Sequence, residues 1–259
     1  MADATPPGQG EMMQGKTAFV TGAARGLGKE IARALGRDGH RLYLVDILGD
    51  RLEETARELR DEGCEVSARV VDVSSRQQCR DAVADCVAET GNLTVLVNCA
   101  GIMRFDHFTD VPEEAWNRIL AVNLSGPFFL IQAALPHVIE AKGNIVNVAS
   151  SNGLMGTAYV APYSATKAAL INLTKTLAVE YAEAPIRVNA VCPGPMATEI
   201  AAGLQPPPTI RHEKVVRYSG LRGLAPAQDV ANVVAFLASD AAASVHGAVW
   251  TADVGTSAG

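Results

Sequence analysis

Tyr163, Ser164, Ala165, Thr166 and Lys167 place a phenol and an ammonium four residues apart, with the hydroxyl of Ser150 thirteen residues upstream. The Ala- and Leu-rich continuation through Leu170, Leu173 and Leu177 predicts a helix, on which i, i+4 spacing puts both groups on one face. A free tyrosine ionises near pH ~10 and is idle at neutral pH, but an adjacent ammonium favours the phenolate and brings it toward working range. Tyr163 is thereby a candidate general acid/base. With five tyrosines and six lysines, the pair arises by chance about 0.1 times in such a chain. Its weight therefore depends on the elements around it.

Those elements alternate. Lys16 to Val20 reads as a strand and runs into Thr21-Gly22-Ala23-Ala24-Arg25-Gly26-Leu27-Gly28, after which Ile31, Ala32, Leu35 and Gly36 repeat with helical period. Glycines allow a tight turn and close backbone approach, and a helix start offers free N–H groups to a phosphate. The next strand, Arg41 to Val45, ends in Asp46, followed by Ile47. An acid about 20 residues after such a loop is placed to hydrogen-bond the adenosine ribose, the other reading being an N-cap for the helix near Asp50. A third strand, Glu65 to Val71, ends in Asp72-Val73, where Asp72 either meets an adenine amino group or caps the helix beginning near Arg76. Leu93 to Val97 runs into Asn98-Cys99-Ala100-Gly101. A long helical stretch from Pro112 to Gly143 carries Asn123 in its middle, a polar group that needs a partner if buried.

The fifth strand, Asn144 to Ala149, delivers Ser150, and the sixth, Ile186 to Val191, delivers Cys192-Pro193-Gly194-Pro195. Residues 196–224 are irregular, with Pro206-Pro207-Pro208 breaking any helix, and read as a lid over the ligand edge. Pro226 opens a helix at its first position, and Gly247 to Thr251 forms a last strand. This alternation predicts an α/β fold: one doubly wound parallel sheet of the Rossmann type, about seven strands, with helices on both faces and ligands beyond the strands' carboxyl ends.

Bulk properties narrow the function. The chain of 259 residues is 48% hydrophobic and 19% charged, with a net charge of -6. Residues 1–14 read as a disordered tail with neither signal peptide nor anchor, and 15–259 as a single domain. Scattered lysines and arginines exclude a nucleic-acid groove or an anionic-membrane patch, and no apolar run reaches the ~20 residues of a membrane span. Five cysteines without C-x-x-C spacing and five dispersed histidines point to reduced thiols in a cytoplasmic protein and to no metal.

These residues, in this order, resemble the short-chain dehydrogenase/reductase family, in its single-domain branch, from Lys16 to about Gly255. Thr21 to Gly28 fits T-G-x-x-x-G-x-G, and Asn98 to Gly101 fits N-N-A-G with Cys99 for the second Asn. Asn123, Ser150, Tyr163 and Lys167 fit the catalytic tetrad, and Pro193-Gly194 with Met196 and Thr198 is similar to the nicotinamide contact. Asp253-Val254-Gly255 departs from the usual D-G-G. The resemblance implies a homotetramer that moves a hydride between a nicotinamide dinucleotide and a secondary alcohol or ketone. It implies that ionised Tyr163 takes the hydroxyl proton, that Ser150 holds the substrate oxygen, and that Lys167 lowers the Tyr163 pKa and binds ribose. Asn123 then holds a water linked to Lys167. Gly22, Arg25, Gly26, Leu27, Gly28, Asp46, Ile47, Asp72, Val73, Asn98, Ala100, Gly101, Pro193 and Gly194 complete the cofactor set. Asp46 opposes a 2′-phosphate and Arg25 favours one; Ile47 adds no charge, so NAD is expected.

Ile102, Met103, Arg104, Asn152, Leu154, Met155, Tyr159, Pro195 and Met196 are the candidate substrate wall. Being mostly apolar, they favour a neutral or lipophilic substrate, with an anion as the other reading through Arg104. Rival readings are a 3-oxoacyl thioester reductase, a sugar-nucleotide epimerase, which the loop spacing and chain length oppose, and a non-catalytic NAD(H)-binding protein.

Overall fold

A computed structural model describes residues 15–196, 206–216 and 222–258. Seven short runs rich in Val, Leu, Ile and Ala form β1 (Thr17–Thr21), β2 (Arg41–Asp46), β3 (Val66–Val70), β4 (Val95–Asn98), β5 (Asn144–Val148), β6 (Arg187–Pro193) and β7 (Val249–Ala252). They make one sheet in the order β3-β2-β1-β4-β5-β6-β7, and every pairing is parallel. The expected single Rossmann-type domain is what the chain forms.

Helices cover both faces: α1 (Gly26–Arg37), α2 (Gly49–Asp61), α3 (Arg76–Thr90), α4 (Glu113–Leu120), α5 (Gly126–Glu140), α6 (Ala161–Glu180), α7 (His212–Val216) and α8 (Ala227–Ala238). The strands sort by period two. Ala18, Val20, Leu42, Leu44, Val95 and Val97 pack with α1, α2 and α8, whereas Phe19, Tyr43, Val45 and Leu96 pack with α3 and α5. A parallel sheet buried on both faces needs this continuous apolar reading.

Strand ends differ from the expected ones by a residue or two. Pro226 is extended (φ -61, ψ 137) and stands just before α8; its carbonyl accepts from Asp229 N at 3.1 Å. It caps the helix rather than opening it. Between α4 and α5 the chain makes a π turn, Ala121–Ser125, closed by Gly126 N–H donating to Ala121 O. The run Glu113–Glu140, expected to fall short of a membrane span, has the length and hydropathy of one (1.6 over its best window). Its apolar residues Leu130, Ile131, Ala134 and Val138 are buried in the core beneath the sheet.

One departure from the family pattern leaves strain. Val254 holds φ 52, the left-handed region, which costs a residue with a Cβ about 1–2 kcal/mol. The turn is over-determined: Asp253 Oδ1 accepts from Gly255 N at 3.1 Å and Oδ2 from Ser257 N at 2.9 Å. The conformation therefore persists without glycine. Val254→Gly is expected to stabilise the fold by about 0.5–1 kcal/mol, raising the melting temperature by ~1–4 °C. A lower melting temperature would show that the valine's packing against the core outweighs its strain.

Candidate active site

The carboxyl ends of the strands open onto a cavity of about 780 Å³. At one end lies the glycine loop. Gly22 has φ +68, and a Cβ there would stand 2.8 Å from Ala100 Cα; a Cβ on Gly28 would collide with the Gly22 carbonyl oxygen. The loop is thus pressed against both β4's exit and the start of α1. Arg25 precedes that helix in extended conformation, so the first N–H groups of α1 have no intrahelical acceptor. A dinucleotide pyrophosphate fits such a start. Gly22, Arg25, Leu27 and Gly28 line the cavity; Gly26 opens α1 behind them and does not.

Asp46 lines the same end with Ile47. Its Oδ2 accepts from Ala24 N at 3.1 Å and its Oδ1 from Leu48 N at 3.0 Å, so the carboxylate is fixed while each oxygen keeps acceptor capacity for ribose hydroxyls. Asp72 and Val73 line it as well. Asp72 Oδ1 accepts from Ser74 N and Oγ, and its Oδ2 stands 3.1 Å from the Arg118 guanidinium. Partial burial pushes this carboxyl up, but the bonds from Ser74 and Arg118 outweigh it and hold it below the usual range. The α3 cap belongs to Ser75, which accepts from Gln78 N.

Asn98 requires a correction, since its side chain does not reach the cavity. It is 2% exposed and its Nδ2 donates to Asn147 Oδ1 at 2.9 Å, while Asn147 Nδ2 donates to Thr174 Oγ1 at 2.9 Å. This ladder ties β4, β5 and α6 together beneath the site. Parallel register pairs Asn98 with Asn147, a signal the two strand sequences carried separately. Ala100 and Gly101 do line the cavity, as does Cys99. Cys99 N and Ala100 N both donate to Thr21 Oγ1 at 2.9 Å, and burial pushes the Cys99 thiol up to about 12.

At the other end stand Ser150, Tyr163 and Lys167. Ser150 caps a tight turn, Ser151–Gly153, and its Oγ accepts from Asn152 N at 3.1 Å. A Cβ on Gly153 would come within 2.7 Å of the Lys167 carbonyl carbon, so the turn lies directly on α6 and sets Ser150 against Tyr163. Lys167, 4% exposed, donates from Nζ to Val148 O at 2.7 Å and stands 5.6 Å from the Tyr163 ring centroid. The shared face is as expected. Burial raises the Tyr163 pKa, and the Ser150 hydrogen bond only partly offsets it. Burial also pushes Lys167 down to about 8. Helical spacing reports the proximity of the two groups, whereas their desolvation is set by the assembled cavity.

Asn123, fully buried in the π turn, does not line the cavity. Its Oδ1 accepts from Ile102 N at 2.8 Å, and its Nδ2 donates to Ile102 O at 2.9 Å and Thr166 Oγ1 at 3.3 Å. The expected water contact cannot use this side chain's donors, which are spent on holding Ile102 and α6. Pro193, Gly194 and Met196 line the cavity; Thr198 lies outside the described residues, as does much of the expected lid.

The substrate wall differs in part. Ile102, Met103, Asn152, Pro195 and Met196 line the cavity, joined by Phe105, Thr157, Val160, Pro206, Ile210 and Val215. These additions come from three separate stretches of chain, two loops and the segment reaching into α7, with no shared spacing to mark them. Leu154 and Met155 line a neighbouring pocket instead. Arg104 pairs with Asp106 at 2.8 Å, and the Tyr159 hydroxyl accepts from Arg211 N at 3.1 Å. Neither reaches the cavity, which removes the anionic reading through Arg104. Among the described residues no group of three or more His, Cys, Asp or Glu is placed to hold a metal.

A family model described as enoyl-(acyl carrier protein) reductase matches residues 22–257. Oxidoreductase UcpA of Salmonella typhimurium is 39% identical over 91% of this chain and 92% of its own. The 3-oxoacyl-[acyl-carrier-protein] reductase FabG of Thermotoga maritima is 35% identical over 94% of this chain and 98% of its own. Among solved structures, a variant of actinorhodin polyketide ketoreductase with NADPH superposes with a TM-score of 0.87 at 32% identity, over 95% of this chain and 98% of that one. With this sheet, this glycine loop and this Ser-Tyr-Lys grouping, the chain belongs to the short-chain dehydrogenase/reductase family.

Proposed function

We propose that this ketone/alcohol oxidoreductase uses NAD(H) and acts on a neutral or lipophilic secondary alcohol or ketone, with Tyr163 as the proton-transferring group. The observation that carries the reading is one cavity lined by Gly22, Gly28 and Asp46 at one end and by Ser150, Tyr163 and Lys167 at the other. A bound nicotinamide dinucleotide supplies the hydride donor or acceptor.

The chain's own residues manage the proton and the oxygen. Ser150 accepts from Asn152 N and its hydroxyl bonds Tyr163, so a substrate oxygen seated between the two residues takes over that donor as charge develops there. Tyr163 donates the proton that completes ketone reduction, and it takes that proton back in the reverse direction. Lys167 supplies positive charge 5.6 Å from the centre of the Tyr163 ring, and the Asn123 amide fixes the loop at Ile102 against α6. An apolar wall from Ile102 to Val215 suits a substrate without net charge. A 3-oxoacyl thioester is the second reading, supported by the likeness to FabG.

For the cofactor, Asp46 beside Ile47 supports NAD(H). A carboxylate next to a 2′-phosphate costs about 2–3 kcal/mol in a partly buried site, a preference of roughly 30- to 150-fold. Asp46→Ala is expected to narrow that gap mainly by improving NADP(H) use. It will also cost some NAD(H) efficiency, because Ala24 N and Leu48 N lose their acceptor. Comparing kcat/KM for both cofactors checks this; a wild-type preference for NADP(H) would mean that Arg25 outweighs Asp46.

A homotetramer in the cytoplasm completes the reading. Exposed Trp116 and Phe128 on α4 and α5, and Phe236 stacked on Trp250 at the sheet edge, offer two apolar faces to partner copies. Light scattering at micromolar concentration should report four chains, and a stable monomer would contradict it. All five thiols are unpaired, as a reducing compartment requires.

A further inference from the structure

Beyond Ser150 and Tyr163, the apolar substrate wall carries one side-chain amide. Asn152 lines the cavity beside Thr157, Ile102, Phe105 and Val160. Thr157 Oγ1 donates to Asn152 Oδ1 at 3.0 Å, which occupies the amide oxygen and fixes which way the group is turned. Among the described residues, Nδ2 has no protein acceptor within hydrogen-bond distance. Two donors are therefore held at the cavity wall, next to the residue that binds the reacting oxygen: Asn152 N itself donates to Ser150 Oγ at 3.1 Å. In apolar surroundings, a ligand that leaves such donors unpaired binds at a penalty.

We propose that Asn152 determines specificity, its amide NH₂ donating to a second, uncharged oxygen of the substrate on the carbon next to the reacting carbonyl or the one beyond. The substrates are then hydroxy ketones, dicarbonyls or 3-oxoacyl thioesters rather than simple ketones. Among the described residues Arg104 pairs with Asp106 and does not line the cavity, so a neutral oxygen is favoured over a carboxylate. This inference rests on the oxidoreductase reading above and names its substrate class.

The test compares cyclohexanone with 2-hydroxycyclohexanone by initial rates of NADH oxidation. Wild-type enzyme is expected to prefer the hydroxy ketone by ~10- to 100-fold in kcat/KM. In Asn152→Leu the ratio falls to near one. In Thr157→Val, which releases the amide without removing it, the ratio falls part of the way. A purely structural role for Asn152 would lower both substrates together and leave the ratio where it was. An unchanged ratio in either variant overturns the proposal. Absence of turnover with both ketones in wild type, using NADH or NADPH, overturns the oxidoreductase reading itself and the proposal with it.

Discussion

Tyr163→Phe is expected to lower turnover about 10²- to 10⁴-fold while cofactor affinity stays nearly unchanged. The phenyl ring keeps its packing against Lys167, whose Nζ lies 5.6 Å from the ring centroid, and only the proton-carrying oxygen is lost. The effect should fall on kcat, because that oxygen matters most as charge develops on the substrate. Cofactor titration by nicotinamide fluorescence, beside steady-state rates, separates the two quantities. Full activity in the variant would remove Tyr163 from the chemistry.

Lys167→Met should abolish most turnover and make the protein more stable. Burial pushes the Lys167 ammonium from its ordinary value near 10.5 down to about 8, so housing the charge costs the fold about 3 kcal/mol at neutral pH. Methionine removes that cost and gives up the hydrogen bond to Val148 O, leaving a net gain of about 2 kcal/mol. The melting temperature should rise by ~4–8 °C. The pH dependence has a definite sign. Below pH 8 the lysine is charged in both folded and unfolded chains and the gap is full. Between about 8 and 10.5 the unfolded chain binds the extra proton, wild type gains stability with rising pH, and the gap closes. Urea melts at pH 7 and pH 9.5 read this out. A variant less stable than wild type at pH 7 would mean that the ammonium is well solvated where it sits.

What could be read from the residues alone followed from local spacing. The turn from Thr21 to Gly28, the acid at Asp46 and the four-residue step from Tyr163 to Lys167 are each set by one element's geometry, and the sheet order then brings them together. What required several elements at once was not readable. Phe105 enters the cavity from one loop, and Thr157 and Val160 from another. The π turn at Ala121–Ser125 differs from ordinary helix by one hydrogen-bond step, which leaves no mark in the pattern of apolar residues. Asn98 looked like a cofactor contact by its motif, yet register aims its amide at Asn147 across the sheet. The spacing of Tyr163 and Lys167 is visible in the sequence, whereas the burial that raises the first pKa and lowers the second is a property of the assembled cavity.

The most direct test of the account follows the hydride itself. The alcohol formed from 2-hydroxycyclohexanone and NADH deuterated at both C4 positions of the nicotinamide is analysed by mass spectrometry, for wild type and Tyr163→Phe in parallel. One deuterium on the new carbinol carbon, formed at a rate that collapses in the variant, is the predicted result. Product that carries no deuterium, or that forms equally fast without the Tyr163 hydroxyl, would contradict it.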